Sequence, residues 1–262
     1  MQRRLFFSVR NLAIFSLTLL GMTSRSQADW EQTGSIAAPE ARQAAAADEK
    51  SVYAIDNKVV VRYDRETGEK LATSTGPAWH LNSGFILDVK MYCAHSNYPM
   101  KPEQSEIKVL DLQSMELSEF KSFPDPPGSI TVVLKKDGHW WCVFAHYKED
   151  NAKTLLVKYD DKWNELARWT FPESVISGLG NYSISGAIWS GEELLATGHD
   201  EKLIYRLQVP EGSSVVRHLG TVKAPFTGQG IAVDPNTGGL IGINRKNKEV
   251  LFAMPKQMMK AN

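Results

Sequence analysis

Cysteine is nearly missing: Cys93 and Cys142 are the only two in 262 residues. One pair cannot form the disulfide framework that staples small secreted folds. The two fall at similar points of successive repeat units, so they are expected on neighbouring units as small buried hydrophobes rather than as a bridge. An excess of either charge is missing too, with 30 basic and 30 acidic side chains. Setting aside residues 1–28, which hold four arginines and no acid, leaves 26 basic and 30 acidic side chains and a net charge of −4. Such a surface has no electrostatic footprint for DNA or RNA, so no nucleic acid is expected as a partner.

Long apolar runs are confined to the start of the chain. Leu12 to Gly21 is apolar but too short to span a bilayer, and no membrane span is expected after it. Arg3, Arg4 and Arg10 precede this core, and Ser26-Gln27-Ala28 follows it with small residues where a signal peptidase reads. Residues 1–28 therefore read as a secretory signal and 29–262 as a single domain, with a product that is periplasmic or extracellular. An uncleaved anchor is the rival reading. Neither cysteine follows the apolar core, which argues against lipoprotein attachment. Several reaction motifs are also absent: there is no Gly-x-Ser-x-Gly elbow, no phosphate loop and no His-Glu-x-x-His. Gly178-Leu179-Gly180 and Gly228-Gln229-Gly230 lack a third glycine and a following helix, so a nucleotide reading fails.

What the chain does have is repetition. After residue 48, short runs rich in Val, Ile, Leu, Tyr, Phe and Trp alternate with Gly, Asp, Asn and Pro turns, and helical periodicity is hard to find. The run Val59-Val60-Val61-Arg62-Tyr63-Asp64 recurs as Ile107 to Asp111, as Leu155 to Asp160, as Leu203 to Leu207 and, shortened, as Val250 to Ala253. Asp64, Asp111 and Asp160 stand 47 and 49 residues apart. A period in the forties with several strands per unit predicts a β-propeller. Counting units predicts an all-β, five-bladed propeller. Its last blade, from Gln229 to about Pro255, has three strands, and Trp30 to Ile36 is the spare strand that would complete it and close the ring.

In a propeller the innermost strand leaves one face and the second strand returns to it. The second strands end at Asp56, His95, His146, His199 and Asn244. Near the starts of the first strands stand Gln43, His80, Asn82, Tyr182, Ser183 and Gln229. One opening is therefore expected to be ringed by histidines, amides and hydroxyls. His95, His146 and His199 are the candidate catalytic residues and the candidate ligands of a divalent metal ion such as Zn²⁺, Mn²⁺ or Fe²⁺, since imidazole titrates near neutrality and binds such ions. The alternative is a polar lining that bonds water and backbone carbonyls. His80, Asn82, Tyr182, Ser183, Asp200, Gln229 and Arg245 are the candidate substrate-binding residues, with Arg245 suited to a carboxylate. Trp79 could form a stacking wall, whereas Trp140 and Trp141 are expected to pack between blades. His139 belongs at the opposite face and His218 on an outer strand.

The motifs His80-Leu81-Asn82-Ser83-Gly84, Cys93-Ala94-His95-Ser96-Asn97-Tyr98-Pro99, Thr197-Gly198-His199-Asp200 and Gly228-Gln229-Gly230-Ile231-Ala232 resemble a family of secreted bacterial propellers common in planctomycetes. Its members often carry the label "cycloisomerase", after a distant likeness to carboxymuconate-cyclase-type propellers. The resemblance implies ring opening or closure of a small carboxylated compound by proton transfer. Gluconolactonase-like propellers hold Ca²⁺ through acids and amides, and a His-rich, acid-poor mouth does not match them. Plant-type glutaminyl cyclases are also five-bladed and secreted, but the quoted motifs do not look like theirs.

Two functions follow as expectations. The first is an exported enzyme of isomerase, lyase or lactonase type, acting on a small anionic organic substrate at the His-lined mouth of the central channel. The second is a non-catalytic module whose mouth binds a small-molecule ligand or a protein partner.

Overall fold

The computed structural model describes residues 28–256, so the segment read as a secretory signal lies outside the described residues apart from Ala28. The first strand, β1 (Trp30–Ala37), is not paired with the strand that follows it. Blade 1 is built from β2 (Ala44–Ala47), β3 (Ser51–Ile55), β4 (Val60–Asp64) and β5 (Lys70–Thr73). Blade 2 holds β6 (Leu81–Leu87), β7 (Lys90–Ser96), β8 (Ser105–Asp111) and β9 (Leu117–Phe123). Blade 3 holds β10 (Ser129–Lys136), β11 (His139–Ala145), β12 (Leu155–Tyr159) and β13 (Glu165–Thr170). Blade 4 holds β14 (Gly186–Ser190), β15 (Glu193–Thr197), β16 (Leu203–Gln208) and β17 (Arg217–Lys223). Blade 5 holds β18 (Ala232–Val233), β19 (Leu240–Asn244) and β20 (Glu249–Pro255), and its fourth strand is β1.

The chain is thus a five-bladed β-propeller, as its repeats predict. β1 runs antiparallel to β20 from Trp30↔Pro255 to Ala37↔Glu249, with a bulge between Gln32 and Gly34. This pairing covers the edge that β20 would otherwise present. Among the described residues no helix is long and apolar enough to cross a membrane. Among the described residues the one α-helix, α1 (Glu173–Ile176), is a single turn in the link between blades 3 and 4.

The aspartates that mark the period have a mechanical role. Asp64 accepts the backbone N–H of Thr67 at 2.8 Å, Asp111 that of Ser114 at 2.8 Å, and Asp160 that of Asn164 at 2.8 Å. Each carboxylate turns its blade from the third strand into the fourth, which is why a polar residue recurs there. These hydrogen bonds hold all three carboxyls below the usual aspartate range.

Burial falls from the axis outward. All of β2 and β3 is buried, whereas β5 and most of β9 face solvent. The core lies between blades, where apolar faces of neighbouring sheets interdigitate. Trp141 stacks on Trp169 of its own blade at 5.6 Å and meets Trp189 of blade 4 edge-on at 5.1 Å. Trp140 meets Tyr92 of blade 2 at 5.1 Å, so both tryptophans join blades as expected. Cys93 and Cys142 are free and buried, on blades 2 and 3 respectively. Burial pushes the Cys93 thiol up to about 12, which leaves it unreactive.

Small residues let the inner strands crowd the axis. A Cβ on Gly230 would lie 2.4 Å from Ala44 Cβ and 3.3 Å from Ser83 Cα. Blades 5, 1 and 2 therefore meet around Gly230. The ring is also locked by charge: Arg65 of blade 1 pairs with Asp234 of blade 5, whose side chain is 2% exposed.

Candidate functional site

The first strands start and the second strands end at one face, so the mouth forms where the repeat predicts. Several of the expected binding residues lie beneath its surface, where they join one blade to the next. Asn82 Nδ2 donates to the carbonyl of Ile130 in blade 3 at 3.0 Å. Ser183 shares a 2.7 Å hydrogen bond with Thr154 of blade 3 and is fully buried. Gln229 Nε2 donates to the His199 carbonyl at 3.1 Å, and its own N–H bonds the Gly198 carbonyl at 2.8 Å. These side chains shape the mouth, and their polar groups are satisfied within the protein. Asp56 pairs with Arg42 at 3.6 Å, while Asn244 caps the turn to Asn247 at 3.2 Å.

The three equivalent histidines have different surroundings. His95, on β7, is 3% exposed. Its Nε2 accepts the backbone N–H of Trp79 at 2.7 Å, and its Nδ1 lies 2.8 Å from Glu106 Oε1. Lys108 Nζ reaches the same oxygen at 2.9 Å. Burial raises the Glu106 carboxyl, but His95 and Lys108 outweigh it and bring it down to about 2. Both nitrogens of His95 thus face groups of the chain itself. Neither Glu106 nor Lys108 is among the site candidates that the repeat offers. Their signal is the i, i+2 spacing on β8 that puts both on one face, with Glu106 directly opposite His95. Trp79, expected as a wall, stands 70% exposed at the rim of a 320 Å³ cleft that His95 and Glu106 also line.

His146 donates from Nε2 to the Pro127 carbonyl at 2.7 Å, and its backbone N–H bonds Thr154. His80 is half-buried. Burial, then the proximity of His95 and His199, hold its imidazole below the ordinary histidine range. Beside it stands Tyr98, ring centroids 6.1 Å apart, which packs on Tyr147 at 4.4 Å. Those tyrosines were likewise not legible as site residues, because their loops carry no repeat signal. His139 lies at the opposite face as expected, and His218 sits between the hydroxyls of Ser174 and Thr221, each 3.0 Å away.

A cluster of polar side chains surrounds His199. Tyr182 stacks on its ring with centroids 3.8 Å apart and planes 8° from parallel. Asp200 Oδ1 lies 2.8 Å from Nδ1. Arg245 Nη1, from blade 5, is 3.4 Å from Nδ1, 3.3 Å from Nε2 and 3.3 Å from Asp200 Oδ1. Burial lowers the imidazole below its ordinary range and Arg245 adds to this, while Asp200 pulls the other way. A cleft of about 340 Å³ opens beside the stack, lined by Tyr182, His199, Asp200 and Gly180 among others.

The local backbone explains why His199 is held there. Gly228 adopts φ +62°, and a Cβ on it would lie 2.6 Å from the His199 carbonyl carbon. Only glycine allows the blade 5 loop to lie against the His199 loop so closely. Arg245 N–H then bonds Thr227 Oγ1 at 3.0 Å, which anchors the arginine to the same loop. Thus Tyr182, His199, Asp200 and Arg245 are brought together, with His80 at the same mouth. His95 and His146 are drawn to neighbours of their own. Among the described residues no three His, Cys, Asp or Glu side chains converge as a metal-ligand set.

No family model matches the chain, and none of the curated proteins compared with it matches. Among solved structures the chain is similar to glutaminyl cyclase from Myxococcus xanthus, with a TM-score of 0.60 and 8% identity over 86% of this chain and 95% of that one. It also aligns with a chain of the mitotic checkpoint complex, with a TM-score of 0.47 and 12% identity over 96% and 98% of the two. At 8% identity the likeness to the cyclase is one of fold.

Proposed function

We propose that the chain is an exported propeller enzyme that moves a proton on a small anionic organic substrate at the His199 corner of the mouth. The observation that carries this reading is the contact of His199 with both Asp200 and Arg245. It supplies a base, a carboxylate to orient it and a cation for the substrate. Because its affinity for a proton is lowered by burial, His199 is neutral at pH 7. With a proton on Nδ1 facing Asp200, the lone pair lies on Nε2, where Arg245 covers it. A substrate carboxylate would draw the guanidinium into a bidentate pair and uncover that nitrogen. Nε2 then takes a proton from the substrate, Asp200 stabilises the resulting imidazolium, and return of the proton to another atom completes an isomerisation without a co-reactant.

Tyr182 shields one face of the imidazole and fixes its plane. The fold-level likeness to a cyclase is consistent with an enzyme on this scaffold. The test incubates the mature protein with a panel of small unsaturated mono- and dicarboxylates and lactones in D₂O, and follows deuterium incorporation by NMR. Incorporation that is lost in His199→Gln supports the reading. Incorporation unchanged in that variant removes it.

A second reading, a module that binds an anion without turning it over, draws on a separate observation. His95 and His146 each direct a ring nitrogen at a neighbouring backbone group rather than at the opening. It predicts that small carboxylates protect the protein against unfolding and depend on Arg245, with no deuterium exchange.

A further inference from the structure

On the face opposite the mouth, a cleft of about 680 Å³ separates blades 3 and 4. Its size is that of small-ligand sites, about 300–1,000 Å³. One wall is built by the loop after β16, which folds back on blade 3: Thr170 N–H bonds the Ser214 carbonyl at 2.8 Å, and Val216 N–H bonds that of Thr170 at 3.0 Å. Blade 4 thereby extends the outer strand of blade 3 and gives the cleft a fixed side.

Three indole rings, Trp141, Trp169 and Trp189, line this cleft. The indole N–H groups of Trp141 and Trp189 are buried and have no acceptor among the described residues. Lys158 Nζ lies 5.2 Å from the Trp141 ring centroid and makes no ion pair among the described residues. The lining is balanced in charge: Lys136, Lys158 and Arg168 face Asp137, Glu192 and Glu211. Lys136 is already engaged by Asp137 at 2.8 Å and Glu192 at 2.9 Å, and Arg168 by Glu165 at 2.5 Å.

We propose that this cleft binds a neutral pyranose sugar chain. The half-buried indole of Trp189, beside the buried Trp141 and Trp169, suits the apolar C–H face of a sugar ring. Hydroxyl groups both donate and accept hydrogen bonds, so they match a lining that sets the Lys158 ammonium beside carboxylate and carbonyl acceptors. An evenly balanced lining offers no net field to attract an acidic ligand. The site is separate from the mouth, and its occupancy does not depend on the chemistry at His199.

The test titrates the mature protein with cellohexaose, maltohexaose, mannohexaose and xylohexaose, and with hexagalacturonate as the acidic counterpart. Intrinsic tryptophan fluorescence and calorimetry are the readouts. A saturable fluorescence change is expected with at least one neutral hexaose. Trp189→Ala should weaken it by about tenfold, while Trp189→Phe, which keeps a ring, should retain most of the affinity. Lys158→Ala, a substitution at the cleft surface, should weaken binding by about threefold and carries the test if Trp189→Ala does not fold. Arg245→Met, at the other face, should leave the hexaose affinity unchanged. The proposal is overturned if no neutral hexaose binds, if hexagalacturonate alone binds, or if binding is indifferent to both the Trp189 and Lys158 variants.

Discussion

The imidazole of His199 lies flat against the phenol ring of Tyr182, with centroids 3.8 Å apart and planes 8° from parallel. Its other neighbours are charged, so the ring is a titratable group held between an aromatic wall, a carboxylate and a guanidinium. Such a ring can move a proton only in one orientation, and three side chains, Tyr182, Asp200 and Arg245, set that orientation.

The kinetic consequence separates binding from chemistry. Arg245→Met should raise KM by about tenfold or more, because it removes a charge-assisted carboxylate contact. His199→Gln should lower kcat by about 10²–10⁴-fold with a small change in KM. Tyr182→Phe keeps the stack and should stay near wild type, whereas Tyr182→Ala should lose kcat. Steady-state kinetics on the substrate identified by deuterium exchange checks all four variants.

The pH dependence follows from the neighbours of His199. Burial puts its folded pKa below the ordinary value of 6.5, so the neutral base persists to below that pH and activity should fall only beneath it. The unfolded chain binds the proton first, so this group's contribution to stability falls as pH drops through 6.5 toward the folded value. Arg245→Gln removes a lowering influence and should move the imidazole titration upward. Asp200→Asn removes a raising one and should move it downward. NMR titration of the His199 ring protons reads both directions.

Gly228→Ala tests the backbone support of the site. The new Cβ would meet the Gly198 carbonyl oxygen at 2.5 Å in a residue with φ +62°. The strain, about 1–3 kcal/mol, falls on the loop that carries His199. Turnover is expected to drop far more than thermal stability; an equal loss of both would show that the loop has no special part in the site.

Glu106 predicts a different pH effect. Its folded carboxyl lies at about 2 against an ordinary 4.5, so its stabilisation is complete above 4.5 and is lost as pH falls from there toward 2. Glu106→Gln should therefore destabilise at pH 7 by about 2–3 kcal/mol and by little near pH 2. Urea unfolding at the two pH values measures the difference.

Ring closure is tested at Asp234. Its side chain is 2% exposed and pairs with Arg65 across blades 5 and 1. Asp234→Ala leaves a buried guanidinium without its partner and should cost about 3–5 kcal/mol in denaturant unfolding. Replacement of both residues by apolar ones should recover part of that loss.

The architecture was legible in the chain because it rests on local, repeated signals. Val59 to Asp64 and its copies give the strands, and the aspartates at 64, 111 and 160 recur because each caps the same turn. The spare segment near Trp30 was legible as the closing strand because blade 5 lacked one. The level of the mouth was also determined, since the ends of second strands and starts of first strands must share a face. What each side chain does there was not. His95, His146 and His199 are equivalent in the repeat, yet Glu106 and the Trp79 backbone take the first, the Pro127 carbonyl takes the second, and Tyr182, Asp200 and Arg245 surround the third. Apart from Asp200, the next residue in the chain, those partners lie elsewhere in the sequence, up to 46 residues away in the case of Arg245. Cross-strand register and the approach of one blade to the next decide such contacts, and only the tertiary structure holds that information.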